Sequence, residues 1–359
     1  YVPTPVKRVE IPKPDGGTRE LGIPTVIDRL LQQAIFQKLS LYFEDIFSEN
    51  SFGFRIKRSA HDAVIKAKGY INSGYNWVVD IDLAKYFDTV NHDKLMFLLS
   101  EHIKDKRVLR LIRKYLNSGV MINGVVEETY MGCPQGGPLS PLLSNIMLHE
   151  LDKELTKRGH KFCRYADDCN IFVRSKRASE RVMRGITYYL ETRLKLKVNQ
   201  NKSASDRPWN RKFLGFSFYT NSEGTMIRVH SKSIIKLENK IREITSRSNA
   251  MSEEQRISRL NSLIRGWVNY FKIANVKSHL KSIDEWTRRR LRMCIWKSWK
   301  RIKSRLKNLI KLGIPKPKAW EYANTRKGYW RISNSFILSK SLTNRYFENM
   351  GLLSFSGVL

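Results

Sequence analysis

The chain has 359 residues, 41% of them hydrophobic and 11% aromatic, enough to build packed cores, so wholesale disorder is excluded and two or three domains are expected. Its 66 Lys and Arg against 33 Asp and Glu leave a formal net charge of +33, an excess that points to a polyanionic partner, nucleic acid before an anionic membrane. No run approaches the ~18 apolar residues of a spanning helix, and Tyr1-Val2-Pro3-Thr4-Pro5 is not a signal peptide. Cys133, Cys163, Cys169 and Cys294 offer neither a disulfide framework nor a zinc spacing, which suits reduced thiols in the cytoplasm and no membrane partner.

In chain order, residues 6–12 and 19–23 flank Pro14-Asp15-Gly16-Gly17, a hairpin signal. Residues 28–47 read as a helix with Leu30/Leu31, Ala34/Ile35 and Leu39 at helical spacing, and residues 59–72 as a second. A short buried strand is expected over 77–83, helices over 92–100, 104–116 and 140–156, and a second hairpin over 162–165 and 169–173 with Ala166-Asp167-Asp168 at its tip. These elements describe an α+β core with helices on an antiparallel sheet.

From Ser231 onward the basicity is concentrated: 29 Lys and Arg against 8 Asp and Glu, net +21, compared with +12 in the preceding 230 residues. Helices are expected over 231–247, 252–273 and 278–307. The middle one carries Ile257, Leu260, Leu263, Ile264 and Trp267 on one face; the third surrounds Leu291, Ile295 and Trp299 with Arg288, Arg289, Arg290, Arg292, Lys297, Lys300 and Arg301. Tryptophans interleaved with cations suit base stacking and phosphate contact together. Gly313-Ile314-Pro315-Lys316-Pro317 breaks the pattern, and a small basic, aromatic module follows.

Two acidic clusters stand out against this charge: Asp80-Ile81-Asp82 at the end of an apolar strand, and Asp167-Asp168 at the hairpin tip. Adjacent carboxylates repel and are driven toward protonation unless a cation joins them. Oxygen ligands without a His or Cys cluster favour Mg²⁺ or Mn²⁺ over zinc, and carboxylates from two strands can hold two such ions. Taken alone, an Asp-Asp pair is a turn or a helix cap. Gly132-Cys133-Pro134-Gln135-Gly136-Gly137-Pro138-Leu139 adds a glycine-rich turn directly before a helix, where backbone N–H groups and a side-chain amide can meet a nucleotide.

Asp82 with Phe87, then Pro134-Gln135-Gly136 with Ser140-Pro141, then Tyr165-Ala166-Asp167-Asp168, in this order, resemble a reverse transcriptase. Ile11-Pro12-Lys13-Pro14-Asp15-Gly16-Gly17-Thr18-Arg19, Ser51-Phe52-Gly53-Phe54-Arg55 and Leu263-Ile264-Arg265-Gly266-Trp267 narrow the likeness to bacterial group II intron-encoded reverse transcriptase/maturases, over about residues 6–300. Retrons and diversity-generating elements share the Tyr-x-Asp-Asp core without this combination. The resemblance implies an α+β right-hand polymerase: fingers over 1–75, a palm over 76–225 with finger-associated helices around 100–130, a helical thumb over 226–305, and a basic, DNA-binding-like segment over 306–359.

It further implies catalytic roles for Asp82, Asp167 and Asp168, with metal held by Asp82, Asp167 and the Leu83 carbonyl; the five-residue spacing to Phe87 selects Asp82 over Asp80. Lys13 and Arg19 would clamp the triphosphate, with Arg55 joining them, Phe87 would exclude a ribose 2′-hydroxyl, and Gln135, Gly136 and Lys202 would meet the nucleotide. Phe213, Leu214 and Gly215 would grip the primer, and Arg265, Arg288, Arg289 and Arg292 would bind nucleic acid. The implied activity is RNA-directed DNA synthesis from dNTPs and a DNA primer or target on group II intron RNA or another RNA template, with two Mg²⁺ ions (Mn²⁺ as substitute), in the bacterial cytoplasm or at the nucleoid. The extension that usually precedes this core in the family is not seen ahead of Tyr1. No metal-spaced Cys/His cluster follows Cys294, so target cleavage is not expected. The competing readings are an RNA-binding maturase that mainly assists splicing, and a reverse transcriptase of another bacterial class.

Overall fold

The computed structural model describes residues 1–12 and 16–359, so Lys13, expected above to clamp a triphosphate, lies outside the described residues. The chain forms two compact units, residues 1–214 with 218–225, and residues 215–217 with 226–359.

The first unit opens with the antiparallel pair β1 (Val6–Pro12) and β2 (Thr18–Ile23). Helix α1 (Val26–Glu44) starts at Thr25, whose hydroxyl accepts from the Asp28 N–H. The expected apolar face of this helix is only partly the buried one. Asp28, Gln32, Ser40 and Phe43 are buried while Leu30 is 69% exposed. The reason lies at Asp28, whose carboxylate accepts from the hydroxyls of Tyr1, Thr4 and Thr25, so a satisfied polar group turns inward. Helix α2 (Ala60–Asn72) begins in a reciprocal Ser59–Asp62 capping box.

Strand β3 (Trp77–Ile81) leads through the short α3 (Tyr86–Thr89) to α4 (His92–His102) and α5 (Lys106–Leu116). A hairpin of β4 (Val120–Ile122) and β5 (Val125–Glu127) follows, then α6 (Ser140–Lys157), β6 (Lys161–Tyr165), β7 (Asp168–Val173), α7 (Lys176–Thr192) and β8 (Ala204–Asp206). Strands β9 (Phe216–Asn221) and β10 (Gly224–Val229) pair with each other. One four-stranded sheet runs β2-β1-β4-β5; the other, entirely antiparallel, runs β6-β7-β3-β8. The β4–β5 hairpin was not expected from the sequence; its signal is Asn123-Gly124, where both residues have positive φ, as a tight two-residue turn requires.

On the second sheet Val79, Ile81, Phe162, Ile171 and Val173 form a core with Leu143, Met147 and Leu151 of α6 and Ile186 and Leu190 of α7. His149 of α6 sits at the margin of this core, its ring 5.7 Å from that of Phe47, and its Nδ1 has no hydrogen-bond partner among the described residues. Burial pushes its pKa down to about 4. Because the folded value lies below the unfolded one, His149 supports the fold fully above about pH 6.5 and that support is lost as pH falls toward 4, on the order of 2–3 kcal/mol in all. His149→Met is therefore expected to flatten the fall in melting temperature between pH 7 and pH 5; an unchanged slope would assign the acid sensitivity elsewhere.

The second unit is built from α8 (Ser231–Ile244), α9 (Glu253–Phe271), α10 (Lys277–Ser298) and α11 (Ile302–Lys311). The single helix expected over 278–307 is thus two. Trp299 leaves the helical region with ψ 62°, its ring turns edge-on to Trp296, and its carbonyl accepts from Arg305 Nε at 3.1 Å. Short helices complete the chain: α12 (Lys316–Ala323), α13 (Tyr329–Ile332), α14 (Phe336–Ser341), α15 (Asn344–Asn349) and α16 (Phe355–Val358). Buried Asp284 of α10 anchors the last of these by accepting from the backbone N–H groups of Phe355 and Ser356 and the hydroxyls of Ser354 and Ser356.

Candidate active site

The register of β3 against β7 pairs Ile81 with Cys169 and Asp80 with Asn170. One step further along, Asp82 leaves β3 beside Asp168, the first residue of β7, and Tyr165 pairs with Asp168 across a turn in which Ala166 adopts φ 57°. Residues 80 and 82, two apart on a strand, face the same way. The Asp82 backbone is fixed from the other side: its N–H donates to Ser203 Oγ at 3.0 Å and its carbonyl accepts from the Asn199 N–H at 2.8 Å. Leu83 follows, bridged to Val198.

The electrostatics of this cluster are those of carboxylates held together. Burial, and then the charge of Asp82, raise the Asp167 pKa, while the Arg19 guanidinium on β2 pulls it back. Asp168 keeps an exposed edge, yet crowding by the fold, followed by repulsion from Asp167, Asp80 and Asp82, pushes it up to about 7. Burial raises the Asp80 pKa, and Arg211, whose Nη2 lies 2.6 Å from its Oδ2, opposes that rise. Among the described residues no three His, Cys, Asp or Glu side chains already converge on one point as a metal nest. What fits a cation is the chemistry of the donors: hard oxygens without imidazole or thiolate, whose mutual repulsion a divalent ion would relieve.

The glycine-rich turn is tied to Phe87, five residues after Asp82, and to β2, the strand that carries Arg19. The Gln135 carbonyl accepts from the Gly22 N–H of β2 at 2.8 Å, and the Cys133 N–H donates to the Phe87 carbonyl at 2.6 Å. Gly136 has φ 129°, and a Cβ there would stand 2.8 Å from the Gly22 carbonyl oxygen, so this position requires glycine. The turn is tied down by Ser140 Oγ, which donates to the Pro134 carbonyl, and by His92 Nε2, 2.6 Å from the Gly132 carbonyl. Gly22, Lys85, Phe87 and Gln135 line one cavity of about 200 Å³. Tyr86, next to the half-buried Phe87, is instead fully buried and donates to the Ser144 carbonyl at 3.0 Å.

The structure therefore gathers Asp82, Leu83, Asp167 and Asp168 at one end of the β3–β7 pair, with exposed Arg19 acting on Asp167 through its charge, while Phe87, Gln135 and Gly136 are joined through the glycine-rich turn, which is bonded to Phe87 and to β2. Lys202 is exposed on the loop that fixes Asp82, and its carbonyl accepts from Arg211 at 2.8 Å. Phe213, Leu214 and Gly215 lie where the first unit gives way to the second; Gly215 has φ 88°, and a Cβ there would stand 3.2 Å from the Phe271 ring. Arg55 is not available to a nucleotide, because its side chain is buried in an ion pair with Glu44 and donates to the Ser48 and Ser51 carbonyls.

In the second unit Arg265 is exposed on α9 beside a groove of about 550 Å³ that Asn261 and Met350 also line. Arg288 is half-exposed. Arg289 stacks 3.9 Å from the Trp330 ring centroid, and Arg292 donates to the Leu342 carbonyl, so these two are already engaged within the unit. Sequence reasoning missed Arg211, Ser203 and Arg164. The available signal was Arg164 itself, a cation inside the apolar run Phe162-Cys163-Arg164-Tyr165 that demands buried partners.

Comparison with known sequences and structures bears on the family and the fold. The family model for reverse transcriptase (RNA-dependent DNA polymerase) matches residues 11–218, and that for the group II intron maturase-specific domain matches residues 234–313. The chain is 34% identical over 241 residues to protein YkfC of Escherichia coli, covering 56% of this chain and 63% of that one. It is 42% identical over 165 residues to the group II intron-encoded protein LtrA of Lactococcus lactis, covering 46% of this chain and 27% of that one. It thus spans less than two thirds of the length of either relative. Apo telomerase from Candida tropicalis superposes with a TM-score of 0.52 at 11% identity, over 99% of this chain and 63% of the other, and telomerase from Candida albicans with 0.50 at 15%, over 98% and 64%. These likenesses show the fold, that of right-hand polymerases with an α+β core. By sequence the chain belongs to the reverse transcriptase (RNA-dependent DNA polymerase) family, and it carries in addition a match to the group II intron maturase-specific domain.

Proposed function

We propose that the chain is an RNA-directed DNA polymerase that extends a DNA primer with dNTPs on an RNA template, and that it also binds group II intron RNA to assist splicing and retrohoming. The observation that carries this reading is the β3–β7 register, which sets Asp82 beside Asp167-Asp168, with Arg19 of β2 acting on Asp167 and the Gln135 turn bonded to that same strand. Asp82, Asp167 and the Leu83 carbonyl would hold Mg²⁺, with Asp168 in support. When bound, two such ions activate the primer 3′-hydroxyl and stabilise the leaving pyrophosphate.

The protein's own part is positioning and charge placement. Arg19 orients the triphosphate with a planar, forked cation. Gln135 and the Gly136 backbone seat the sugar and phosphates against the Phe87 ring, and Lys202 supplies a proton or positive charge at the departing pyrophosphate. Residues 1–75 would serve as fingers, 76–225 as palm, 226–305 as thumb and 306–359 as a DNA-contacting segment. Among the described residues no helix is long and apolar enough to cross a membrane, in keeping with a cytoplasmic or nucleoid-associated site of action.

The maturase-domain match and the +21 of the last 129 residues support the second reading, an RNA-binding splicing cofactor. Assaying primer extension and intron splicing on the same preparation separates the two: Mg²⁺-dependent extension is expected, and splicing assistance without extension would leave the maturase reading alone. For RNA contact the structure favours Arg265 and Arg288 over the engaged Arg289 and Arg292. The double change Arg265→Gln/Arg288→Gln is expected to reduce the slope of log K against log salt by about 1.5. An unchanged slope would remove both residues from the interface.

A further inference from the structure

The motif Ser51-Phe52-Gly53-Phe54-Arg55 has no part in the chemistry above, yet it lies directly behind the Asp167 turn. Residues 50–53 run alongside β6: the Arg164 N–H donates to the Asn50 carbonyl, and the Phe52 N–H to the Arg164 carbonyl, both at 2.8 Å. Gly53 then passes so close to the turn that a Cβ on it would lie 2.3 Å from the Ala166 backbone nitrogen and 2.9 Å from the Tyr165 carbonyl carbon. Only glycine permits that approach.

Arg164 occupies the centre of the same region with no exposed surface. All five of its N–H donors are used. Nε and Nη2 take the two oxygens of buried Asp152 on α6 at 2.7 and 2.6 Å, Nη2 also donates to Ser51 Oγ at 2.8 Å, and Nη1 donates to Asn145 Oδ1 at 3.0 Å and to the Ala166 carbonyl at 2.9 Å. Asn145, also on α6, donates in turn to the Gly53 carbonyl at 2.8 Å. The guanidinium thus ties together α6, which follows the Gln135 turn, the 50–53 segment, and the peptide that immediately precedes Asp167.

A buried ion pair adds little stability over well-packed apolar residues of the same volume. What this one supplies is direction. Ala166 adopts the left-handed conformation, which alanine enters reluctantly, and the bond from Nη1 to its carbonyl, with Gly53 pressed against its nitrogen, fixes the peptide that aims the Asp167 carboxylate. We propose that Arg164, held by Asp152 and Asn145 and backed by Gly53, is a positioning residue that sets where Asp167 places its carboxylate, so that the Ser51–Arg55 motif and α6 serve the metal site without touching it. The proposal rests on reading Asp167 as a metal ligand.

Three variants test it. Gly53→Ala removes no hydrogen bond and must displace the turn. Arg164→Lys keeps the charge opposite Asp152 but loses the fork. Arg164→Met/Asp152→Leu replaces the pair by apolar residues of similar volume. In each, the Mg²⁺ concentration for half-maximal extension is expected to rise by ~10-fold or more, as when the partners that orient a metal ligand are lost. The turnover rate should fall by ~100-fold, the scale of a 1 Å misplacement, while KM for primer–template and RNA affinity stay within about twofold. Mn²⁺ binding followed by electron paramagnetic resonance, which needs no turnover, should weaken in parallel, and Arg164→Lys should recover more of it than the double variant. Folded variants with wild-type Mn²⁺ affinity and Mg²⁺ dependence would overturn the proposal. If the double variant does not fold, Gly53→Ala is read by the same two outcomes. A wild-type chain that binds Mn²⁺ but extends no primer would count against the polymerase reading instead, and the Mn²⁺ titrations would still decide the role of Arg164.

Discussion

Asp167→Asn is expected to abolish Mg²⁺-dependent primer extension while leaving the chain folded and its affinity for RNA largely intact. The substitution is isosteric at the tip of the β6–β7 hairpin, where burial and the Asp82 charge already disfavour the ionised carboxylate, so removing the charge relieves repulsion and places no load on the fold. The cost falls on the chemistry. If Asp167 and Asp82 hold the metal as proposed, losing the charged oxygen opposite Asp82 would leave the attacking hydroxyl and the leaving pyrophosphate unneutralised, and a loss of a thousandfold or more, about 4 kcal/mol of transition-state stabilisation, is expected. Steady-state extension on an RNA template, paired with RNA binding by fluorescence anisotropy, checks both halves. RNA binding should be unmoved because the basic second unit is untouched.

Phe87→Ala is expected to admit ribonucleotides, on the proposed reading that the Phe87 ring stands where a ribose 2′-hydroxyl would sit. Phe87 is half-buried in the wall that also carries Gln135, its ring 5.3 Å from that of Tyr86 and edge-on to it. Tyr86 cannot take its place, since its hydroxyl is committed to the Ser144 carbonyl inside the core. Removing the ring leaves space where a 2′-hydroxyl would sit, and discrimination between dNTP and rNTP should fall by roughly 100-fold. The loss should come from faster rNTP incorporation, with dNTP use changed little. Single-nucleotide incorporation with matched dNTP and rNTP measures the ratio, and an unchanged ratio would place the sugar elsewhere.

Much of this site was legible because its signals are local. A carboxylate at the end of an apolar strand, a Tyr-x-Asp-Asp hairpin and a glycine-rich turn before a helix each occupy a few consecutive residues, and β3, the β6–β7 hairpin and α6 stand within a few residues of their expected bounds. What escaped depends on contacts between distant residues. The pairing of Arg211 with Asp80 spans 131 positions and that of Arg164 with Ser51 spans 113; among 66 cations Arg211 carried no local signal, and the apolar run around Arg164 signalled burial without naming its partners. The same long-range effect misled the reading of α1, where Asp28 is turned inward by hydroxyls from Tyr1 and Thr4 and Leu30 is left outside. It also made Arg55 a candidate nucleotide contact, although Glu44 holds it in the interior. Apolar counting located α8, α9 and α10 but neither the short helices after Gly313 nor the break after Ser298, which is set by how Trp299 and Arg305 pack.

The β3–β7 register is the claim on which the rest depends, and it distinguishes two aspartates that face the same way. Asp82 stands beside the Asp167-Asp168 turn, while Asp80 is taken up by Arg211. Single-dNTP incorporation on an RNA-templated primer, measured side by side for the wild type, Asp80→Asn, Asp82→Asn and Asp167→Asn at saturating Mg²⁺, tests this most directly. The account predicts that Asp82→Asn and Asp167→Asn lose incorporation together while Asp80→Asn retains most of it; survival of Asp82→Asn, or equal loss in Asp80→Asn, would contradict it.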